Sequence, residues 1–238
     1  MIQMTSKHKT AITPIFAYTL GLIGGDGTIT ENPKTGEYRI SVIDCCLEFH
    51  QNIIKPRFEK LFPVKIVTSS IKTKKGGTTY RTRLCSKQVV EIYKKMEIPT
   101  KNKTFCMKTP KPIFNSSKNS IKEYIKGWMD SEGWVTNKKV KKPNKTYIYP
   151  RIGFQVSNKQ IRDDIVILLQ RFGVNPSVWK YKNMYGLQII GFDKVRKYLK
   201  QIGFNHPDKI LKARNLQAWN QTRPTMTGTM RCDSVRKS

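Results

Sequence analysis

The sequence predicts an α+β chain built as two pseudosymmetric halves, each a helix followed by antiparallel strands and packing helices. Three observations predict it: a helix-like motif that occurs twice, the same order of strands and helices after each copy, and loop-forming residues gathered between the two. Residues 15–30 read IFAYTLGLIGGDGTIT and residues 121–136 read IKEYIKGWMDSEGWVT. Both run from an aromatic residue through a Gly and two apolar residues to a small residue, an acid and a Gly. Any residue, a β-branched residue and Thr then follow in both.

Each motif helix is expected to end at its acid–Gly pair, because Gly27 and Gly133 can adopt the left-handed conformation that closes a helix, and the β-branched residues beyond favour a strand. In the first half, residues 37–44 read as a strand, 47–61 as a helix, 65–71 and 78–84 as a hairpin around Lys-Lys-Gly-Gly at 74–77, and 87–96 as a helix. The second half repeats the order: a strand at 151–157, a helix at 158–172, a hairpin of 177–181 and 186–190 around Asn183, and a helix at 194–202. Pro, Ser and Asn cluster in TPKPIFNSSKNS, residues 109–120, as they do in loops and helix caps. That link divides the chain into halves at 10–114 and 115–219, and residues 220–238, rich in Thr, Ser and Arg, read as a loose tail.

A chain of 238 residues with 38% hydrophobic content can bury a real core. Lys and Arg number 45 against 16 Asp and Glu, a formal charge of +29 spread along the sequence, which favours a polyanionic partner. About ten phosphate contacts would make log affinity fall with log salt at a slope of roughly −9. No stretch approaches the roughly 18 to 20 apolar residues that span a bilayer, and MIQMTSKHKT lacks a signal-peptide apolar region. An intracellular location, cytoplasm or organelle matrix, and no membrane partner are expected.

The five cysteines, Cys45, Cys46, Cys85, Cys106 and Cys232, form no CxxC pair and leave an odd count, arguing against a zinc site and a disulfide framework. They are expected to be reduced, buried thiols. His8, His50 and His206 stand far apart and match no zinc or HNH-like cluster.

Asp26 and Glu132 fall at the C-terminal ends of their helices, where the helix dipole disfavours negative charge by roughly 0.3 to 1 kcal/mol. Either acid alone reads as a solvated residue beside a helix-ending Gly; two at equivalent repeat positions call for a shared reason. Gly21, Gly24 and Gly25 on one helix, and Gly127 and Ser131 on the other, would let the backbones approach more closely than the usual 8 to 10 Å between axes. Packed in parallel, the helices would bring both acids together. Adjacent carboxylates repel unless a divalent cation binds between them, so a magnesium site under a pseudo-twofold axis is expected. Manganese is expected to substitute, and calcium to support binding alone.

Leu20-Gly21-Leu22-Ile23-Gly24-Gly25-Asp26-Gly27 and Lys126-Gly127-Trp128-Met129-Asp130-Ser131-Glu132-Gly133 resemble the two helices that give LAGLIDADG proteins their name. The likeness covers most of residues 12–215, and two copies in one chain are similar to the monomeric branch of LAGLIDADG homing endonucleases, including archaeal intron-encoded enzymes. The resemblance implies that Asp26 and Glu132 bind catalytic metals, with Gly25 and Ser131 beside them in the metal site. Gly24 stands where the family commonly has an acid, at a position that usually caps or packs, and Glu for Asp at the second acid occurs among active members.

Lys103 lies 77 positions after Asp26, and Lys209 lies 77 positions after Glu132, so the repeat includes these lysines. By resemblance they would stabilise charge at the scissile phosphate or polarise water; the alternative is a solvated or phosphate-binding lysine, and Lys101 rivals Lys103. Asp44 and Asn158, at the ends of equivalent strands, are by resemblance candidates to hold metal-bound water, and equally candidates for helix N-caps. Strand residues expected to face the major groove are Arg39, Ser41, Lys72, Lys74, Tyr80, Arg81 and Arg83 in the first half. Their counterparts are Arg151, Gln155, Trp179, Lys180, Tyr181, Lys182, Tyr185 and Gln188.

Together these imply two sheets forming a DNA-binding saddle on a site-specific endonuclease. It would hydrolyse one phosphodiester on each strand of a long asymmetric site, with 3′ overhangs by family precedent. The rivals are an intron maturase of the same fold, which would bind intron RNA, and a cleavage-inactive DNA-binding protein; both acids being present favours the nuclease. A basic ribosome-associated protein would leave the paired acids unexplained. An intein is not expected, because no flanking splicing blocks are present.

Overall fold

Two runs of small and apolar residues form the spine of the fold. The first is α1 (Pro14–Gly24) and the second α7 (Lys118–Ser131). The computed structural model describes residues 12–74, 76–143 and 145–221. Thr13 caps α1, its hydroxyl accepting from the Phe16 N–H, with Pro14 opening the first turn where its missing N–H costs nothing. Ser117 caps α7, accepting from the Ser120 N–H, so the link is itself a helix cap.

After α1 come β1 (Gly27–Asn32) and β2 (Glu37–Asp44). A helical run follows as α2 (Leu47–Phe49), a π turn His50–Ile54, and α3 (Lys55–Leu61). Next are the hairpin β3 (Ile66–Lys72) and β4 (Thr78–Cys85), then α4 (Lys87–Lys95). Two single turns, α5 (Lys103–Cys106) and α6 (Lys111–Phe114), lead to α7. The second half runs β5 (Trp134–Lys142), β6 (Lys145–Val156), α8 (Lys159–Gln170), β7 (Ser177–Tyr181), β8 (Met184–Ile190), α9 (Phe192–Gln201) and α10 (Pro207–Gln221).

Both sheets are antiparallel and share one topology: β1-β2-β4-β3 and β5-β6-β8-β7. One face of each is apolar. Ile40, Val42 and Leu84 face Phe49, Ile54, Val90 and Tyr93 in the first half; Ile152, Phe154, Leu187 and Ile189 face Ile161, Ile165, Leu168 and Tyr198 in the second, all buried. This is the expected α+β architecture of two repeats.

Several expectations need correction. Neither Gly27 nor Gly133 has a positive φ. They are glycines because each packs against its own helix end: a Cβ would run into Ile23 or the Met129 carbonyl. The helix expected at 47–61 contains a π turn, in which the Lys55 N–H reaches the His50 carbonyl. Pro56 explains the shift, since it offers no N–H to the preceding turn. The strand expected at 151–157 begins at Lys145. α5, α6 and α10 lacked any expected counterpart, and α10 extends into residues 220–221. Residues 222–238 of the expected tail lie outside the described residues, as do His8 and Cys232. The thiols are not buried: Cys45, Cys85 and Cys106 are exposed and Cys46 is half-buried. Among the described residues, no helix is long and apolar enough to cross a membrane.

Candidate active site and nucleic-acid interface

The α1–α7 contact is close because small residues oppose backbone. A Cβ on Gly21 would collide with the Tyr124 carbonyl, and one on Gly127 with the Tyr18 carbonyl. One on Gly25 would meet the Ser131 hydroxyl and come within 3.1 Å of Glu132 Cγ. The helices therefore run parallel in register, and their acid-bearing ends touch. Gly24 instead faces the Trp128 ring and Met107.

Desolvation by the packed helix ends raises the Asp26 carboxyl above the usual range, although its outer side opens to solvent. Lys209 opposes the rise most strongly and Asp44 adds to it. Burial also raises Glu132, and the charge of Asp26 raises it further against the pull of Lys103 and Lys209. The charge of Asp26 thus bears on Glu132, with both carboxyls at the negative ends of two helices.

The equally spaced lysines have matching structural roles. Lys103 Nζ donates to the carbonyls of Ile23 (2.9 Å), Gly25 and Gly27; Lys209 Nζ donates to those of Met129 (3.0 Å), Asp130 and Ser131 (2.9 Å). Each ammonium caps the last turn of a motif helix, where carbonyls lack intrahelical partners and positive charge complements the dipole. Burial pushes Lys103 down to about 8, with Asp26 and Glu132 opposing the fall, and lowers Lys209 likewise. Lys101 is exposed and has no such contact described.

Asp44 Oδ1 accepts from the Cys46 N–H (2.6 Å) and lies 3.3 Å from His206 Nε2. Burial raises its carboxyl, but these two hydrogen bonds and the nearby histidines leave it lowered overall. Asn158 caps α8: its Oδ1 accepts from the Gln160 N–H (2.9 Å), and its Nδ2 donates to the carbonyls of Phe105 (2.9 Å) and Met107 (2.7 Å). Asn158 also lines a cleft with Gly25, Lys103, Glu132 and Gln155.

Asp130 has a structural role that spacing gave no sign of. It is fully buried, accepting from Tyr18 Oη (2.8 Å) and from the Asn205 and His206 backbone N–H groups. The one signal was an acid inside the apolar run Trp128-Met129-Asp130.

The faces of the sheets away from the helices carry Arg39, Ser41, Arg81 and Arg83, with Thr28 and Thr30, on the first sheet. The second sheet presents Arg151, Gln155, Trp179, Tyr181 and Gln188, with Trp134 and Thr136. The basic residues are not all free: Arg39 pairs with Glu37 (2.7 Å), and Arg151 lies over the Trp134 ring (5.4 Å). Ser41 is 8% exposed. Tyr80 lies on the opposite, helix-side face with the buried Thr82 and Leu84, its ring 6.3 Å from that of His50. Tyr185 and Lys180 likewise share the parity of Leu187 and Val178. Lys72 ends its strand on the helix-side parity, while Lys74 and Lys182 sit exposed in the two hairpin turns.

A two-repeat α+β chain with an acid ending each of two closely packed helices has the fold of the LAGLIDADG homing endonucleases. Residues 119–203 match the family described as a LAGLIDADG-like domain. Among solved structures, the chain is similar to I-DmoI in complex with DNA and Mn, with TM-score 0.58 and 22% identity over 81% of this chain and 97% of that one. It is also similar to I-WcaI bound to its DNA recognition sequence, with TM-score 0.59 and 15% identity over 90% and 98%. A curated relative, the glutamine–fructose-6-phosphate aminotransferase (isomerizing) of Methanocaldococcus jannaschii, is 26% identical over 215 residues, 87% of this chain. This chain spans 18% of that relative's length. The comparisons show the two-repeat LAGLIDADG fold, with the LAGLIDADG-like domain itself matched over residues 119–203.

Proposed function

We propose that the chain is a site-specific endonuclease, acting as a monomer of two halves at 10–114 and 115–219. It hydrolyses one phosphodiester on each strand of a long, asymmetric double-stranded DNA site and leaves 3′ overhangs. The observation that carries this reading is that the ends of α1 and α7 touch, Gly25 against Ser131 and Glu132, so that the charge of Asp26 bears on Glu132, with a strand of each sheet following each acid.

The residues fit magnesium. Two carboxyls raised by burial, one of them also by the other's charge, with Gly25 and Ser131 beside them, make an oxygen donor set of the kind a hard divalent cation prefers. When bound, the cation would supply Lewis-acid stabilisation of phosphate charge and a water nucleophile at neutral pH. Manganese would substitute and calcium would permit binding alone; I-DmoI complexes with DNA contain Mn in one structure and Ca in another.

Asp26 and Glu132 hold negative charge where a phosphodiester would otherwise be repelled, so they act only with their cation in place. Lys103 and Lys209 fix the last-turn carbonyls of α1 and α7 and keep two positive charges beside the acids. The outer rows of the sheets would follow the major groove, with Arg81 and Arg83 reading or steering one half-site and Gln155 and Gln188 the other. Lys72, Lys74, Lys180 and Lys182 would supply phosphate contacts. Because the two rows differ in side chains, the half-sites would differ in sequence.

The test is cleavage selection on a randomised DNA library with magnesium, and with calcium to report binding. Asp26→Asn and Glu132→Gln should bind without cutting. If both cut as well as the parent, the mechanism is wrong. A parent that binds with calcium and never cuts with magnesium would be a DNA-binding protein on this scaffold.

A further inference from the structure

A second cluster of ligand-type side chains lies where the two halves meet. Cys46 stands at the N-cap position of α2, its side chain making no capping hydrogen bond, and His206 and Asp208 flank the first residue of α10. The Cys46 Sγ, one ring nitrogen of His206 and one carboxylate oxygen of Asp208 lie within 4.8 Å of one another. His206 is 4% exposed, with its ring packed 4.4 Å from that of Phe49. Its Nε2 faces Asp44, and its Nδ1 is sealed from solvent with no hydrogen-bond partner among the described residues. A buried imidazole nitrogen without a partner costs roughly 1 to 3 kcal/mol of desolvation, so the arrangement calls for something bound there.

We propose that Cys46, His206 and Asp208 form a zinc-class metal site that ties the loop after β2 to the start of α10. A thiolate selects a soft or borderline ion over magnesium or calcium, and sulfur, nitrogen and one carboxylate oxygen are ordinary zinc ligands. The thiolate and carboxylate balance a divalent charge, with water completing a tetrahedral shell. Asp44 supplies the outer layer: a carboxylate on the second nitrogen of a ligating histidine fixes its tautomer and orientation. Binding releases the Cys46 proton. This site is separate in chemistry from the all-oxygen pair at Asp26 and Glu132, and it does not depend on the nuclease reading. Its consequence is mechanical, since it would anchor α10, which carries Lys209, to the opposite half.

The test uses cobalt as an optical reporter on the full chain freed of metal by chelator. One equivalent should produce a thiolate-to-cobalt charge-transfer band and tetrahedral visible bands, which zinc displaces and millimolar magnesium does not. Cys45→Ser and the double variant Asp26→Asn, Glu132→Gln should keep the bands. Cys46→Ser and His206→Gln should lose them, and Asp208→Asn, at an exposed position, should weaken cobalt binding at least tenfold without endangering the fold. Zinc should raise the Tm of the parent and leave that of Cys46→Ser unchanged. No charge-transfer band in the parent, a band that survives Cys46→Ser, unchanged binding by Asp208→Asn, or bands lost with the two acids would each overturn the proposal.

Discussion

Gly21 and Gly127 face each other reciprocally across the α1–α7 contact: a Cβ on Gly21 would strike the Tyr124 carbonyl, and one on Gly127 the Tyr18 carbonyl. Each struck carbonyl belongs to the residue three positions before the opposing glycine, so one geometric relation is used twice about a pseudo-twofold axis. A backbone carbonyl cannot swing aside as a flexible side chain can, so the helices would have to part. Gly21→Ala and Gly127→Ala should each destabilise by about 1–3 kcal/mol or more in urea unfolding. The double variant should cost less than the sum, because both substitutions break the same contact. Gly77→Ala, whose nearest neighbour would be a side-chain oxygen of Thr73 at 3.3 Å, should be close to neutral.

Asp130 joins the halves in a different way. It takes the Tyr18 hydroxyl from α1 and two backbone N–H groups from the segment before α10, all within a buried site. Burial raises its carboxyl, and the hydrogen bonds from Tyr18, His206 and Asn205 oppose that rise. Tyr18→Phe should cost about 1 kcal/mol, the net value of one hydrogen bond, whereas Asp130→Ala should cost about 3 kcal/mol or more by stranding three donors. A double-mutant cycle by chemical denaturation should show a coupling of at least about 0.5 kcal/mol between the two residues. Simple additivity would mean that the bond is not formed in solution.

The repulsion between Asp26 and Glu132 has a measurable cost. A carboxyl whose folded pKa is raised destabilises the fold above that pKa, and the penalty fades as pH falls through it. Glu132→Gln should therefore raise Tm in chelator at pH 7, and the gain should shrink on acidification toward the range where Glu132 protonates in the parent. Magnesium should raise the Tm of the parent and have little effect on the variant. A variant less stable than the parent in chelator would show that the acids are not in opposition.

The fold was legible because its periodic signals are local. Residues 37–44 and 177–181 coincide with β2 and β7, and the glycines of the motif predicted the helix contact. The acids were legible by repetition, as were the lysines, whose equal offset reflects equal roles as caps of α1 and α7. What stayed hidden depends on long-range approach. Cys46 and His206 are 160 positions apart, so no spacing rule could place them in one cluster. Asp130 carries the same letter as a surface acid, and only the approach of Tyr18 and residues 205–206 gives it a buried role. Tyr80 was assigned to the exposed face on chemistry alone; strand parity with Thr82 and Leu84 puts it on the other.

The Lys103 ammonium is surrounded by three carbonyls but largely removed from water. Burial lowers it from 10.5 to about 8, against the attraction of Asp26 and Glu132. Between about 8 and 10.5 the unfolded chain therefore holds a proton that the folded chain has released. Where the unfolded state binds more protons, stability rises with pH. The contribution of Lys103 should thus be flat below about 8 and grow as pH rises toward 10.5. Lys209 is also lowered, so the parent alone cannot isolate the effect. The difference in unfolding free energy between the parent and Lys103→Met, which keeps the apolar stem, removes the background of every other group. That difference should turn increasingly in favour of the parent across this window, measured by denaturant titrations at half-unit steps. A difference that is flat through the window, or that moves against the parent, would mean that Lys103 is solvated and does not cap α1.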